Sequence, residues 1–158
     1  MPTNLYGPND NFDLETSHVL PALIRKFHEA KVDKASEVII WGTGTPKREF
    51  LHVDDMADAS VYVMNLSDVK FKKHFLDYPK PCFVNVGTGK DISIKELAEI
   101  IKNVVGFKGK LRFDTSQPDG TKKKLLDMSR MNNFGWNAQI DLIKGIEETY
   151  AWYVSSIT

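Results

Sequence analysis

The chain has 158 residues, 42% of them hydrophobic, a supply that suits one compact domain with a single large core. Lys plus Arg and Asp plus Glu both number 21, so the formal net charge is zero and the whole-chain basic field used in nonspecific nucleic-acid binding is missing. No apolar run approaches the roughly 18 residues of a membrane span, and the first residues lack the charged and apolar regions of a signal peptide. A soluble cytoplasmic protein is expected, with neither nucleic acid nor membrane as partner. One cysteine, Cys82, and four scattered histidines without C-x-x-C or H-E-x-x-H spacing predict no metal site.

In chain order, residues 1–16 read as a strand end followed by loop, with Gly7-Pro8 and Asn9-Asp10-Asn11 as turn signals. Ser17 is placed to cap a helix running to about Lys31, with Leu20, Leu23, Ile24 and Phe27 on its inner face. Residues 37–41 (EVIIW) and 48–53 (REFLHV) predict two strands around a turn at Gly42-Thr43-Gly44-Thr45-Pro46. Asp54 or Asp55 then caps a helix that ends near Leu66, with Met56, Ala59, Ser60, Val63 and Met64 on one side. From Ser67 to Pro81, Lys70, Lys72, Lys73, Lys80 and two prolines among isolated aromatics predict a surface loop.

Residues 83–86 (FVNV) predict a buried strand with Cys82 at its head, and Gly87-Thr88-Gly89 a turn. Ser93 and Glu96 form a capping box opening a helix with Ile94, Leu97, Ala98, Ile101 and Val105 inside. Leu111-Arg112-Phe113 predicts a short strand and Gln117-Pro118-Asp119-Gly120 a turn, while Leu142, Ile143, Ile146, Tyr150 and Tyr153 mark a final helix. Short strands alternate irregularly with amphipathic helices across long loops, which predicts an α/β fold with α+β character.

Glycines after a strand and before a helix let backbone amides approach a pyrophosphate, and Gly87-Thr88-Gly89 has that setting. The third glycine of a dinucleotide fingerprint is replaced by Ile92, and Gly42-Thr43-Gly44 is followed by strand-like sequence. Both read as structural turns in which glycine supplies positive φ. No P-loop pattern occurs.

The blocks MPTNLYGPNDNF at 1–12, SHVLPALI at 17–24, WGTGTPKREFLHVDDM at 41–56, NVGTG at 85–89 and PDGTKKKLLD at 118–127 resemble successive blocks of the GDP-L-fucose synthase family. These are extended short-chain dehydrogenases/reductases that epimerise GDP-4-keto-6-deoxy-D-mannose and then reduce it with NADPH. The REFLHVDD block is shared with many nucleotide-sugar epimerases and dehydratases, whereas the opening blocks are particular to fucose synthases. The resemblance implies that the chain corresponds to the C-terminal, substrate-binding half. Residues 1–16 would return from an absent cofactor domain and residues 17–158 would form the substrate-binding domain. Segments 50–66 and 82–106 would complete the cofactor domain of the full enzyme. The family's Tyr-x-x-x-Lys pair has no counterpart, since the five tyrosines are followed four positions on by Asp10, Leu66, Cys82, Val154 and Ile157. The fragment is therefore expected to be inactive alone and not to hold NADP(H) stably.

Roles carried over by the resemblance fall on matched positions. His18 matches the acid/base histidine of epimerisation, its helix-start position (N1) favouring the neutral imidazole; on residue physics alone it is an exposed helix-start side chain. Pro2, Thr3, Asn4 and Leu5, with His18, match the segment lining the nicotinamide, and a plain turn explains the first four equally well. For the GDP moiety, Arg48 can fork onto pyrophosphate oxygens and Lys26 can supply a point charge. Trp41 either packs on the guanine or sugar or belongs to the core. Asp119 either accepts hydrogen bonds from the substrate, with Lys124 close by, or makes an Asx turn. Complete family members are homodimers through the other half, so self-association of this chain would be non-native. The remaining alternatives are the corresponding half of another nucleotide-sugar epimerase or dehydratase, and a noncatalytic nucleotide-sugar-binding module.

Overall fold

Leu20, Leu23, Ile24 and Phe27 recur at helical spacing, and the stripe they form is buried in the computed structural model, which describes residues 1–79 and 81–157. They belong to α1 (Val19–Val32). This helix packs on α4 (Ile94–Val105), which packs in turn on α6 (Leu142–Ile157). In α4 the sequence dictates both ends. Ser93 Oγ accepts the Glu96 N–H at 3.1 Å, Glu96 Oε2 accepts the Ser93 N–H at 3.0 Å, and Gly106 stops the helix at φ 78°.

Two parallel strands, β2 (Glu37–Trp41) and β5 (Lys110–Asp114), form a small sheet with Val38 opposite Leu111 and Ile40 opposite Phe113. The other sheet is organised by β3 (Lys47–His52). Its second half lies parallel to β1 (Asn4–Tyr6), and its first half pairs antiparallel with β4 (Asp91–Ser93) and parallel with β6 (Lys123–Lys124). A larger buried cluster joins α1, β2, α4 and α6. A second cluster holds Leu51, Val84, Val86 and Trp136 together with Ala59 of α2 (Val53–Met64) and Met131 and Phe134 of the short α5 (Ser129–Phe134).

Strand alternation sends Glu49 of β3 inward, where it is 0% exposed. A buried carboxylate needs donors, and backbone amides provide them. Oε1 accepts the N–H groups of Thr88 and Gly89, both at 2.7 Å, and Oε2 accepts that of Leu126 at 2.9 Å. The Glu49 carbonyl meanwhile accepts Thr3 Oγ1–H at 3.2 Å and Asn4 Nδ2–H at 2.7 Å. A Cβ on Gly87 would overlap Oε1, so the turn needs glycine to let the carboxylate in. One residue thus joins four stretches of chain.

Several expectations are corrected. Residues 68–75 are not loop but helix α3 (Asp68–Phe75): Ser67 caps it, and Phe71 and Phe75, one turn apart, stack at 5.0 Å. Lys80 lies outside the described residues. Residues 83–86 form no regular strand: among the described residues their backbone pairs along residues 1–3 through one Pro2–Val86 bridge. Cys82 is exposed rather than heading a buried strand. The α1 cap is His18, not Ser17, whose N–H is drawn back to the Asp13 carbonyl at 2.9 Å. The α2 cap is His52, whose Nδ1 accepts the Asp54 N–H at 3.3 Å. Asp55 is instead buried, accepting the Gln139 and Ile140 N–H groups at 3.0 Å each. On α2 Ser60 and Met64 are exposed, and on α6 Ile143 is exposed while Gly145 takes the inner position against Tyr6.

Glu49→Gln keeps shape but turns an amide N–H toward one of the backbone donors. We expect a loss of about 3 kcal/mol of unfolding free energy in urea titration at neutral pH. A loss under about 0.5 kcal/mol would show that the carboxylate is not structural.

Candidate functional site

A cleft of about 340 Å³ opens where α1, the end of β2, the start of β3 and the loop before β6 meet. Lys26, Trp41, Arg48, Pro118, Asp119 and Gly120 all line it. Trp41 reaches the cleft because β2 alternates: Val38 and Ile40 point into the core, and Trp41 stands 66% exposed on the other face. The core reading of this tryptophan is therefore corrected. One turn of α1 places Lys26 Nζ 5.2 Å from the Trp41 ring centroid, a cation–π contact that covers part of the indole.

Arg48 precedes the buried Glu49 and so projects to the opposite face, toward the cleft. Its Nη1 donates to the Lys47 carbonyl at 2.7 Å and the Thr121 carbonyl at 2.5 Å. A Cβ on Gly120 would sit 2.9 Å from Nη2, so the absence of a side chain there leaves the guanidinium room. Asp119 makes no Asx turn. Its Oδ1 accepts the Thr43 N–H at 2.9 Å and its Oδ2 accepts the Thr43 hydroxyl at 2.7 Å. Those bonds, the hydroxyl first, hold its carboxyl below the usual carboxylate range. Gly42 and Gly44, at φ 79° and 75°, give the turn its shape, and a Cβ on Gly42 would overlap Asp119 Oδ1. Thr43 carried no signal in the sequence, since its partner lies 76 positions away.

The other predicted residues are placed differently. His18 is the exposed N-cap of α1, not its first helical residue, and its flanking residues Ser17 and Val19 line the cleft while His18 itself does not. Nearby, burial pushes the Asp10 carboxyl up, opposed by the Asn11 N–H and by His18. Lys124 is exposed on β6, in register with Arg48 but outside the cleft lining. Pro2, Thr3, Asn4 and Leu5 do not line the cleft either; Pro2 bridges Val86, and the Thr3 and Asn4 side chains donate to Glu49. A separate groove of about 610 Å³ between α1 and α6, lined by Phe12, Arg25, His28 and Trp152, contains none of the predicted residues.

A dinucleotide phosphate does not fit the glycine turn at 87–89. Thr88 and Gly89 spend their amides on Glu49, so the anion cradle is filled by the chain's own carboxylate. Among the described residues no group of His, Cys, Asp and Glu is placed to hold a metal ion, and no helix is long and apolar enough to cross a membrane.

The profile of the "NAD dependent epimerase/dehydratase family" matches residues 1–77. A probable GDP-L-fucose synthase of Oryza sativa is 55% identical over 99% of this chain and 44% of its own length. The GDP-L-fucose synthase of Escherichia coli is 52% identical over 99% of this chain and 48% of its own. Among solved structures, a GDP-L-fucose synthetase from Naegleria fowleri bound to NADP superposes with a TM-score of 0.83 at 30% identity, over 99% of this chain and 46% of that one. The chain spans about half the length of the curated relatives it matches.

A carboxyl held low by hydrogen bonds gives a defined pH response. The Asp119 bonds to Thr43 are fully formed at neutral pH and are lost only as pH falls through the lowered folded value. Carbon-detected NMR titration should show Asp119 titrating below an ordinary aspartate, and Thr43→Val should move it up toward the ordinary range. An Asp119 that titrates identically in both chains would contradict the geometry.

Proposed function

We propose that this chain, a relative of the GDP-L-fucose synthases over nearly all of its length, is the C-terminal sugar-nucleotide-binding part of such an enzyme. The complete enzyme would convert GDP-4-keto-6-deoxy-D-mannose to GDP-L-fucose by epimerisation and NADPH-dependent reduction. One observation carries the reading: Lys26, Trp41, Arg48 and Asp119, far apart in sequence, meet at a single cleft. On this account Arg48, anchored through Nη1, turns the rest of its guanidinium to the pyrophosphate oxygens. Lys26 adds a compact positive charge, and the exposed indole of Trp41 stacks on guanine or sugar. Lys124, one strand away, strengthens the positive field beside Arg48.

His18 is the acid/base group of epimerisation on this reading. At the edge of the cleft its imidazole exchanges a proton on one face of the carbon beside the ketone, and inversion needs a second acid/base group on the opposite face, supplied by the rest of the complete enzyme. Pro2 to Leu5 border the nicotinamide of the complete enzyme. Segments 50–66 and 82–106 complete its cofactor domain, while this chain alone does not hold NADP(H) stably. The parent works as a cytoplasmic homodimer.

Calorimetric titration of the chain with GDP-mannose and GDP should give binding heats that UDP-glucose does not, and Arg48→Ala should weaken GDP binding about tenfold or more. Equal heats for the two nucleotide classes, or none, would contradict a GDP site. Mixed with NADPH and the keto-sugar nucleotide, the chain should leave NADPH unconsumed. In a complete enzyme, His18→Ala should stop epimerisation while sparing cofactor binding; unchanged epimerisation removes its role.

A further inference from the structure

The loop between β5 and β6 forms one wall of the cleft through Pro118, Asp119 and Gly120. Its two ends are tied to the sheets by backbone bonds: the Gly42 N–H donates to the Asp114 carbonyl at 2.9 Å, and the Lys47 N–H to the Lys122 carbonyl at 2.8 Å. Between them the tip is held to the glycine turn by Asp119, whose two oxygens are both engaged by Thr43. Thr43 is itself oriented, its hydroxyl lying 2.7 Å from Thr45 Oγ1 and 3.2 Å from the Thr45 amide. Two residues beyond Asp119, the Thr121 carbonyl accepts from Arg48 Nη1, and Gly120 leaves space for Nη2.

We propose that Thr43 and Asp119 form a latch that holds this loop closed on the cleft and, through Thr121, sets the Arg48 guanidinium for a nucleoside diphosphate. Thr43 is then a positioning residue, and Asp119 acts through Thr43 rather than as an acceptor for the substrate. The inference rests on the cleft being the nucleotide site proposed above. The carboxylate keeps its charge, but both of its oxygens are turned to Thr43 in the glycine turn, so its part in the cleft is to tie the loop and not to attract a diphosphate.

The test uses this chain with GDP as probe and hydrogen exchange of the loop amides without ligand. Thr43→Val should speed exchange at the Gln117 and Lys47 amides and weaken GDP binding about fivefold or more, while Thr43→Ser, which restores the hydroxyl, should return both to within about twofold of the parent. Asp119→Asn should weaken binding to a similar degree, and the Thr43→Val/Asp119→Asn pair should be no worse than either alone. Parental GDP affinity in Thr43→Val, or additive losses in the pair, would overturn the latch and restore Asp119 as a direct ligand. If the parent chain itself binds no GDP, the nucleotide reading is what fails, and the exchange rates decide the latch on their own: faster exchange in Thr43→Val supports it, unchanged exchange overturns it.

Discussion

A carboxylate with no access to water must be surrounded by donors or it is ejected, and Glu49 meets that requirement by drawing in the amides of Thr88, Gly89 and Leu126. The consequence reaches beyond stability. Because side chains alternate along β3, burying Glu49 forces Arg48 to the opposite face and Phe50 back into the core. A one-residue slip of this strand would exchange the faces on which the guanidinium and the carboxylate stand. The orientation of the cleft's main anion-binding candidate is therefore set by an interaction outside the cleft.

The same contact explains why a glycine turn in the right setting for a dinucleotide site is not one. The geometry that makes amides converge on a phosphate also makes them converge on an internal carboxylate. Here the ligand of the turn is Glu49, supplied in cis from a strand 39 and 40 positions away from the donating amides. The cations open to an anion in the cleft are side chains instead, Arg48 and Lys26, which line it together with the flat surface of Trp41. That combination of fork, point charge and indole suits a diphosphate attached to a planar base.

Legibility in the sequence followed the range of the interactions. The α4 helix was readable to both ends because Ser93, Glu96 and Gly106 act within a turn of themselves. The inner stripe of α1 and the β2 and β5 strands were equally plain from apolar spacing. Helix α3 was missed because its lysines dominate its composition, although the Phe71 and Phe75 spacing is helical and Phe75 packs on the distant Phe134. The caps of α1 and α2 moved by a residue or more because histidines took them, and Asp55 was claimed by amides preceding α6. In the cleft, four matched residues were found to converge, whereas Thr43 was invisible: nothing within its own turn announces a partner on the far loop.

Guanosine diphosphate is the ligand proposed for the cleft between Trp41 and the loop before β6. Hydrogen–deuterium exchange of the chain with and without saturating GDP localises the ligand directly. GDP in the cleft should add protection across residues 41–48 and 115–122, with the α1/α6 groove around Phe12 and Trp152 unchanged. Protection confined to that groove, or none in either region, would contradict it.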